Sequence, residues 1–213
     1  MIVDVRNPTI FSMWQPIDAS SGRPLDLKAA DWPLVIHGKP KAGSSFFTIT
    51  LVADLIRHGR RVVFFCAHGQ VIRALQQELA LPAPMTRAKK ITSSVATQLE
   101  DMQLVTFFRR PKMDMAQSLR SLRDWSDRIV VIKNAEEILT PALWEILRPH
   151  RNLILSGDMS TLKTTVDPQH FATTILFSDS PSTWTIQRNA LPTYIGECHQ
   201  KRGIRQVIVR QVA

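Results

Sequence analysis

The sequence predicts an α/β domain with a central, mainly parallel sheet flanked by helices and an antiparallel pair near its end. Three observations carry this. Six short, nearly continuous apolar runs lie between residues 34 and 177, the pattern of strands covered on both faces. Helix-period segments fill the gaps between them, and strand–helix alternation selects a parallel sheet with right-handed crossovers. After residue 177 the pattern changes to short apolar–polar alternation.

Each element has its own justification. Residues 1–30 are polar and rich in Pro, Ser and Asp, and read as an arm or linker ahead of a domain over 31–213. Trp14 in that arm has two docking places open to it, its own domain and a neighbouring subunit. The expected strands are 34–37, 61–66, 104–108, 128–132, 152–156 and 174–177. Phe47, Thr50, Val52, Leu55 and Ile56 share one helical face, with His58 and Gly59 as the stop. Val71, Ile72, Leu75 and Leu79 make a second helix that ends before Pro82. Met115, Leu119, Leu122 and Trp125 make a third, and Leu143, Ile146 and Leu147 a shorter fourth. The terminal antiparallel pair is expected at 184–188 and 206–209.

Composition narrows the class. The 213 residues suffice for one domain with a real core, and 44% hydrophobic content with a mean hydropathy of −0.06 describes an ordinary globule. No apolar run approaches the ~18 residues needed to cross a bilayer, and the N-terminus lacks a signal-peptide pattern, so a cytoplasmic protein without membrane contact is expected. Cys66 and Cys198, the two cysteines, suggest neither a disulfide framework nor a metal site. The histidines are scattered without ligand spacing, and no metal is expected. The net charge of +9 favours a polyanion such as nucleic acid, and it is clustered. Arg87, Lys89 and Lys90 form one group and Arg109, Arg110 and Lys112 a second. Lys201, Arg202, Arg205 and Arg210 form a third near the end of the chain.

One motif carries chemistry. From Trp32 the chain reads W-P-L-V-I-H-G-K-P-K-A-G-S-S, a strand followed by Gly38 and Gly43 at the spacing of G-x-x-x-x-G-K-[ST]. That pattern cradles phosphate on backbone N–H groups, and the loop spans Gly38, Lys39, Pro40, Lys41, Ala42, Gly43, Ser44 and Ser45. Ser44 stands where the motif carries the lysine that reaches the β- and γ-phosphates.

From about Gly22 onward the chain resembles the RecA-like core of P-loop ATPases, most of all the C-terminal motor domain of DnaB-type replicative helicases and its KaiC and RadA relatives. V-I-H-G-K-P-K-A-G-S-S is similar to the family's V-I-x-G-R-P-x-x-G-K-[ST], including Pro40. V-V-F-F-C-A-H-G is similar to L-F-F-S-L-E-M-S. R-I-V-V-I-K-N-A-E-E stands at the Walker B strand, and N-L-I-L-S-G-D at the sensor strand. I-Q-R-N-A-L-P-T is similar to K-Q-R-N-G-P-T, the hairpin whose basic finger reaches a neighbouring subunit, which gives Arg188 a possible finger role. With that motif's lysine replaced by Ile186, a plain structural arginine is an equal reading.

The resemblance also locates the departures. Ser44 replaces the phosphate lysine, His68 stands at the catalytic glutamate, Lys133 at the Mg²⁺-holding aspartate and Gly157 at the sensor glutamine. Phosphoryl transfer depends on positioning and charge stabilisation, and loss of one preorganised donor costs about 3 kcal/mol of barrier. The resemblance therefore implies a pseudo-ATPase, with no catalytic residue and with ATP or ADP bound weakly without Mg²⁺ or not at all. Such a protein acts as an assembly, regulatory or nucleic-acid-associated subunit with a protein partner or further copies of itself. The alternative is an ATPase with a deviant phosphate loop in DNA replication or recombination, using Lys39 or Lys41 as MinD and ParA proteins use a lysine near the loop's start. Glu136 and Glu137 read as N-terminal helix charge, and His68 as a polar loop histidine. Loops 134–140 and 157–170, which in the family meet DNA, are not basic, so the three clusters above are the expected nucleic-acid contacts.

Overall fold

A computed structural model of the chain describes residues 14–18, 31–38, 42–80, 105–109, 114–162, 166–177, 193–200 and 203–211. Among the described residues nine strands form one sheet: β1 (Trp14–Asp18), β2 (Leu34–Gly38), β3 (Val62–Cys66), β4 (Val105–Arg109), β5 (Ile129–Lys133), β6 (Leu153–Gly157), β7 (Thr173–Phe177), β8 (Thr193–Gln200) and β9 (Gly203–Gln211). Their order is β1-β9-β8-β7-β2-β6-β5-β3-β4. The six strands from β7 to β4 are parallel, and β8, β9 and β1 extend the sheet antiparallel.

Helices cover both faces because successive strand residues point to opposite sides. Leu34, Ile36, Val62, Phe64, Val131 and Ile154 pack under α1 (Ser44–Arg57) and α2 (Gly69–Ala80). Val35, Val63, Phe65, Val130, Ile132 and Leu155 pack against α3 (Met115–Ser121), α4 (Ala135–Ile138) and α5 (Pro141–Leu147). Both core layers are mainly apolar where the parallel strands cross them, which is why these strands read as nearly continuous apolar runs.

The six expected parallel strands and four helices all form, with ends shifted by a residue or two. The third helix stops at Ser121, and Trp125 sits in a separate 3-10 turn (Trp125–Asp127), so that expectation was one turn too long. The antiparallel pair is β8 with β9, in register Cys198↔Arg205 and Gln200↔Gly203. Residues 184–188 lie outside the described residues. β8 escaped notice because its sequence, T-Y-I-G-E-C-H-Q, is polar; its fully buried Cys198 faces the core and exposed Glu197 does not. Within the segment read as an arm, Trp14–Asp18 pair with β9 as an edge strand, in register Trp14↔Gln211 to Asp18↔Val207.

Candidate functional site

In open α/β sheets ligands bind outside the carboxyl ends of the strands where the chain reverses direction across the sheet. That place here is β2, with β6 on one side and β7 on the other. From β2 the chain crosses to β3 and β4, returns through β5 and β6, and then passes to β7. The sensor-like strand β6 thus separates β2 from the Walker B-like strand β5.

The loop after β2 leads straight into α1. Gly43, at φ 104°, is the N-cap and supplies no side chain to the helix terminus. The first-turn N–H groups of a 14-residue helix are therefore without a side-chain cap, a setting suited to an anion. Gly38 permits the tight approach of the helix. A Cβ there would stand 2.9 Å from the Cβ of Ser44 and 3.0 Å from that of Phe177. Ser44 is buried, and its hydroxyl faces back toward the Gly38 carbonyl at 3.5 Å rather than out along the loop. One turn on, the Thr48 hydroxyl donates to the Ser44 carbonyl at 2.7 Å and contacts the Ser156 hydroxyl at 2.6 Å, tying α1 to β6. Ala42 is half-buried and Ser45 exposed. Lys39, Pro40 and Lys41 lie outside the described residues.

Lys133 ends β5 between Cys66 of β3 and Ser156 of β6. By alternation with Ile129 and Val131 it belongs to the α1 face, the side of the phosphate loop. It is 2% exposed. Burial pushes its ammonium group below the usual lysine range, opposed by Glu136, Cys66 and Glu137. No described carboxylate comes within 4.0 Å of it. The Cys66 thiol is buried beside it and pushed up, chiefly by burial, so it is not a thiolate nucleophile.

The acidic pair after β5 is tied down. Both glutamates lie in the first turn of α4, as helix N-terminal charge should, and each has a further partner. The Asp158 N–H donates to Glu136 Oε2 at 3.1 Å. Gly157 makes that possible, because a Cβ there would fall 1.9 Å from the same oxygen. The position of the expected sensor side chain is thus filled by Glu136. Glu137 pairs with His68 across the tip of β3, Oε1 to Nε2 at 2.9 Å. His68 therefore does have an acid partner, one the sequence could not reveal because the two are 69 residues apart. On the other face of β2, His37 Nδ1 accepts from the Met159 N–H at 2.9 Å.

Mg²⁺ does not fit the end of β5. A buried cation stands there, and Glu136 is committed to a backbone N–H. No group of three or more His, Cys, Asp or Glu that would hold a metal occurs among the described residues.

Of the other expected site residues, Arg109 ends β4 at this same carboxyl edge, its backbone paired to Cys66 as that of Lys133 is, and Arg205 lies on β9 opposite Cys198; their side chains are not described. Arg87, Lys89, Lys90, Arg110, Lys112, Arg188, Lys201 and Arg202 fall outside the described residues. No helix among the described residues is long and apolar enough to cross a membrane.

The fold is similar to that of solved NTPases. It is similar to the genome-packaging NTPase B204 of Sulfolobus turreted icosahedral virus 2, solved with ATP-γS, at 15% identity and a TM-score of 0.50, over 83% of this chain and 96% of that one. It is similar also to EccC of Thermomonospora curvata (ATPases 2 and 3, with a signal-sequence peptide), at 16% identity and a TM-score of 0.50, over 97% of this chain but 41% of that one. At such identity the likeness is one of fold. No protein-family profile and no curated protein matches the chain.

Proposed function

We propose that this protein is a catalytically degenerate P-loop subunit of RecA- or DnaB-like descent, serving assembly, regulation or nucleic-acid association without hydrolysing ATP. The observation that carries the reading is Lys133, a buried cation at the end of β5 where a metal-holding carboxylate would be needed. Ser44, turned back on Gly38, and Glu136, held by the Asp158 N–H, support it. A reaction that relies on a lysine, a metal and an oriented water lacks a group for each at these positions. A partner protein or further copies of the chain would supply the assembly, with Arg188 and the three basic clusters as its contacts to neighbours and nucleic acid.

The uncapped start of α1 favours a refinement, namely that ATP or ADP binds weakly through backbone N–H groups without Mg²⁺. Phosphate release by the purified chain, alone and with DNA, tests the main reading; background rates in both are expected. Turnover abolished by Lys39→Ala or Lys41→Ala would instead establish an ATPase with a deviant loop.

A further inference from the structure

The opposite end of the sheet carries an arrangement that the phosphate-loop reading does not use. Arg128 stands one residue before β5 and is 6% exposed. By alternation with Val130 and Ile132 it faces the α3–α5 side. Its Nη1 donates to the Thr106 hydroxyl on β4 at 3.1 Å, so the side chain passes beneath the start of β3, while its Nε has no hydrogen-bond partner. Arg61 occupies the neighbouring position before β3. Its carbonyl accepts from the Ile129 N–H at 2.9 Å, and alternation with Val63 and Phe65 puts it on the same face. Arg60 and Arg123 are exposed in the adjoining connections, and Arg151 is exposed before β6, the next strand along.

No described carboxylate lies within 4.0 Å of any of these five arginines, including Asp124 and Asp127 in the same connection as Arg123. Burying a guanidinium without a counter-charge costs several kcal/mol. A neutral hydroxyl such as Thr106 offsets little of that. An anion seated on Arg61 and Arg128 would supply the missing charge, and phosphate suits paired guanidinium groups because its oxygens accept two parallel N–H bonds. Arg61, Arg128 and Arg151 precede the consecutive strands β3, β5 and β6, which lie about 4.8 Å apart, so this row spans about 10 Å. A row of that length matches a repeating anion better than a single one.

We infer that the amino-terminal edge of the β3, β5 and β6 strands is a docking surface for the phosphodiester backbone of a nucleic acid, centred on Arg61 and Arg128. This does not rest on the state of the phosphate loop, and ATP turnover leaves it untouched.

Fluorescence anisotropy of a labelled oligonucleotide, single-stranded and duplex, with the full chain tests it. Arg61→Gln combined with Arg123→Gln is expected to weaken binding about tenfold at low salt and to reduce the salt slope by about two, one for each phosphate left without its arginine. Arg128→Leu is expected to weaken binding while the melting temperature holds or rises, since it removes a buried unpaired charge. Unchanged affinity in the double variant overturns the proposal. So does an Arg128→Leu protein that melts lower but binds as before, which would make Arg128 purely structural. If pyrophosphate raises the melting temperature through these arginines while no oligonucleotide binds at low salt, the surface serves a small phosphate ligand and the nucleic-acid assignment is wrong.

Discussion

At the carboxyl ends of the parallel strands the described charged groups are partnered or buried. Glu136 is held by the Asp158 N–H, Glu137 pairs with His68 at the exposed tip of β3, and Lys133 is buried. At the amino ends, Arg60, Arg61, Arg123 and Arg151 have no carboxylate within 4.0 Å among the described residues, and Arg128 is buried without one. The first edge is a seam of paired and buried polar groups, and positive charge without a carboxylate partner among the described residues lies at the other. Strand order and crossovers depend on the apolar runs and not on the residues at the strand tips, so the same fold can carry different chemistry at each end of its sheet.

Four perturbations of the two edges sharpen the comparison. The largest effect is expected from Gly157→Ala, whose Cβ would meet Glu136 Oε2 at 1.9 Å. Displacing that carboxylate or the α4 turn should cost about 2–3 kcal/mol in urea denaturation. Adding Glu136→Ala should recover part of the loss, the backbone N of Ala135 at 3.0 Å and the φ of 157° remaining, and a double variant no more stable than Gly157→Ala would show that the carboxylate contact is not the cause. Next, Thr48→Val removes the tie to Ser156 and leaves a buried hydroxyl without its partner. A loss of about 1–2 kcal/mol is expected by the same measurement. Lys133→Met should leave stability equal or raise it by about 1 kcal/mol near neutral pH, since it deletes a buried cation with no carboxylate in contact. A clear loss would mean that Lys133 is held by a stabilising partner.

The smallest effect is a pH dependence at the amino end. His150 is buried, and burial holds its imidazole below the ordinary value of 6.5, while the Arg128 carbonyl that accepts from Nε2 at 2.9 Å opposes the shift. A histidine whose folded pKa is lowered takes up its proton first in the unfolded chain. Its contribution is therefore complete above pH 6.5 and is lost as pH falls from there toward the folded value. His150→Gln should flatten the fall of melting temperature on acidification below pH 6.5, and an unchanged slope would assign it to other groups.

The fold was legible because buried parallel strands are written as local apolar runs, such as V-V-F-F-C over β3 and I-V-V-I-K over β5. The antiparallel extension was legible only in part. One face of β8 is polar, and β1 joins through pairing with a strand almost two hundred residues away, which no local pattern encodes. At the site, the substitutions at Ser44, His68, Lys133 and Gly157 were readable from position in the motif. What fills the space was not. The pairing of His68 with Glu137, and of Gly157 with Glu136, arises from strand tips brought together by the sheet. The Arg61–Arg128 neighbourhood escaped for the same reason, because neither residue belongs to a basic run.

The central proposal is that Lys133, standing where a metal-holding carboxylate would be needed, leaves this loop without a Mg²⁺ site. Calorimetric titration of the full chain with ATP, in Mg²⁺ and again with the metal chelated, tests it most directly. The account predicts that Mg²⁺ adds no affinity, whether nucleotide binds weakly or not at all. Binding more than about tenfold tighter with Mg²⁺, a difference of about 1.4 kcal/mol, would contradict it.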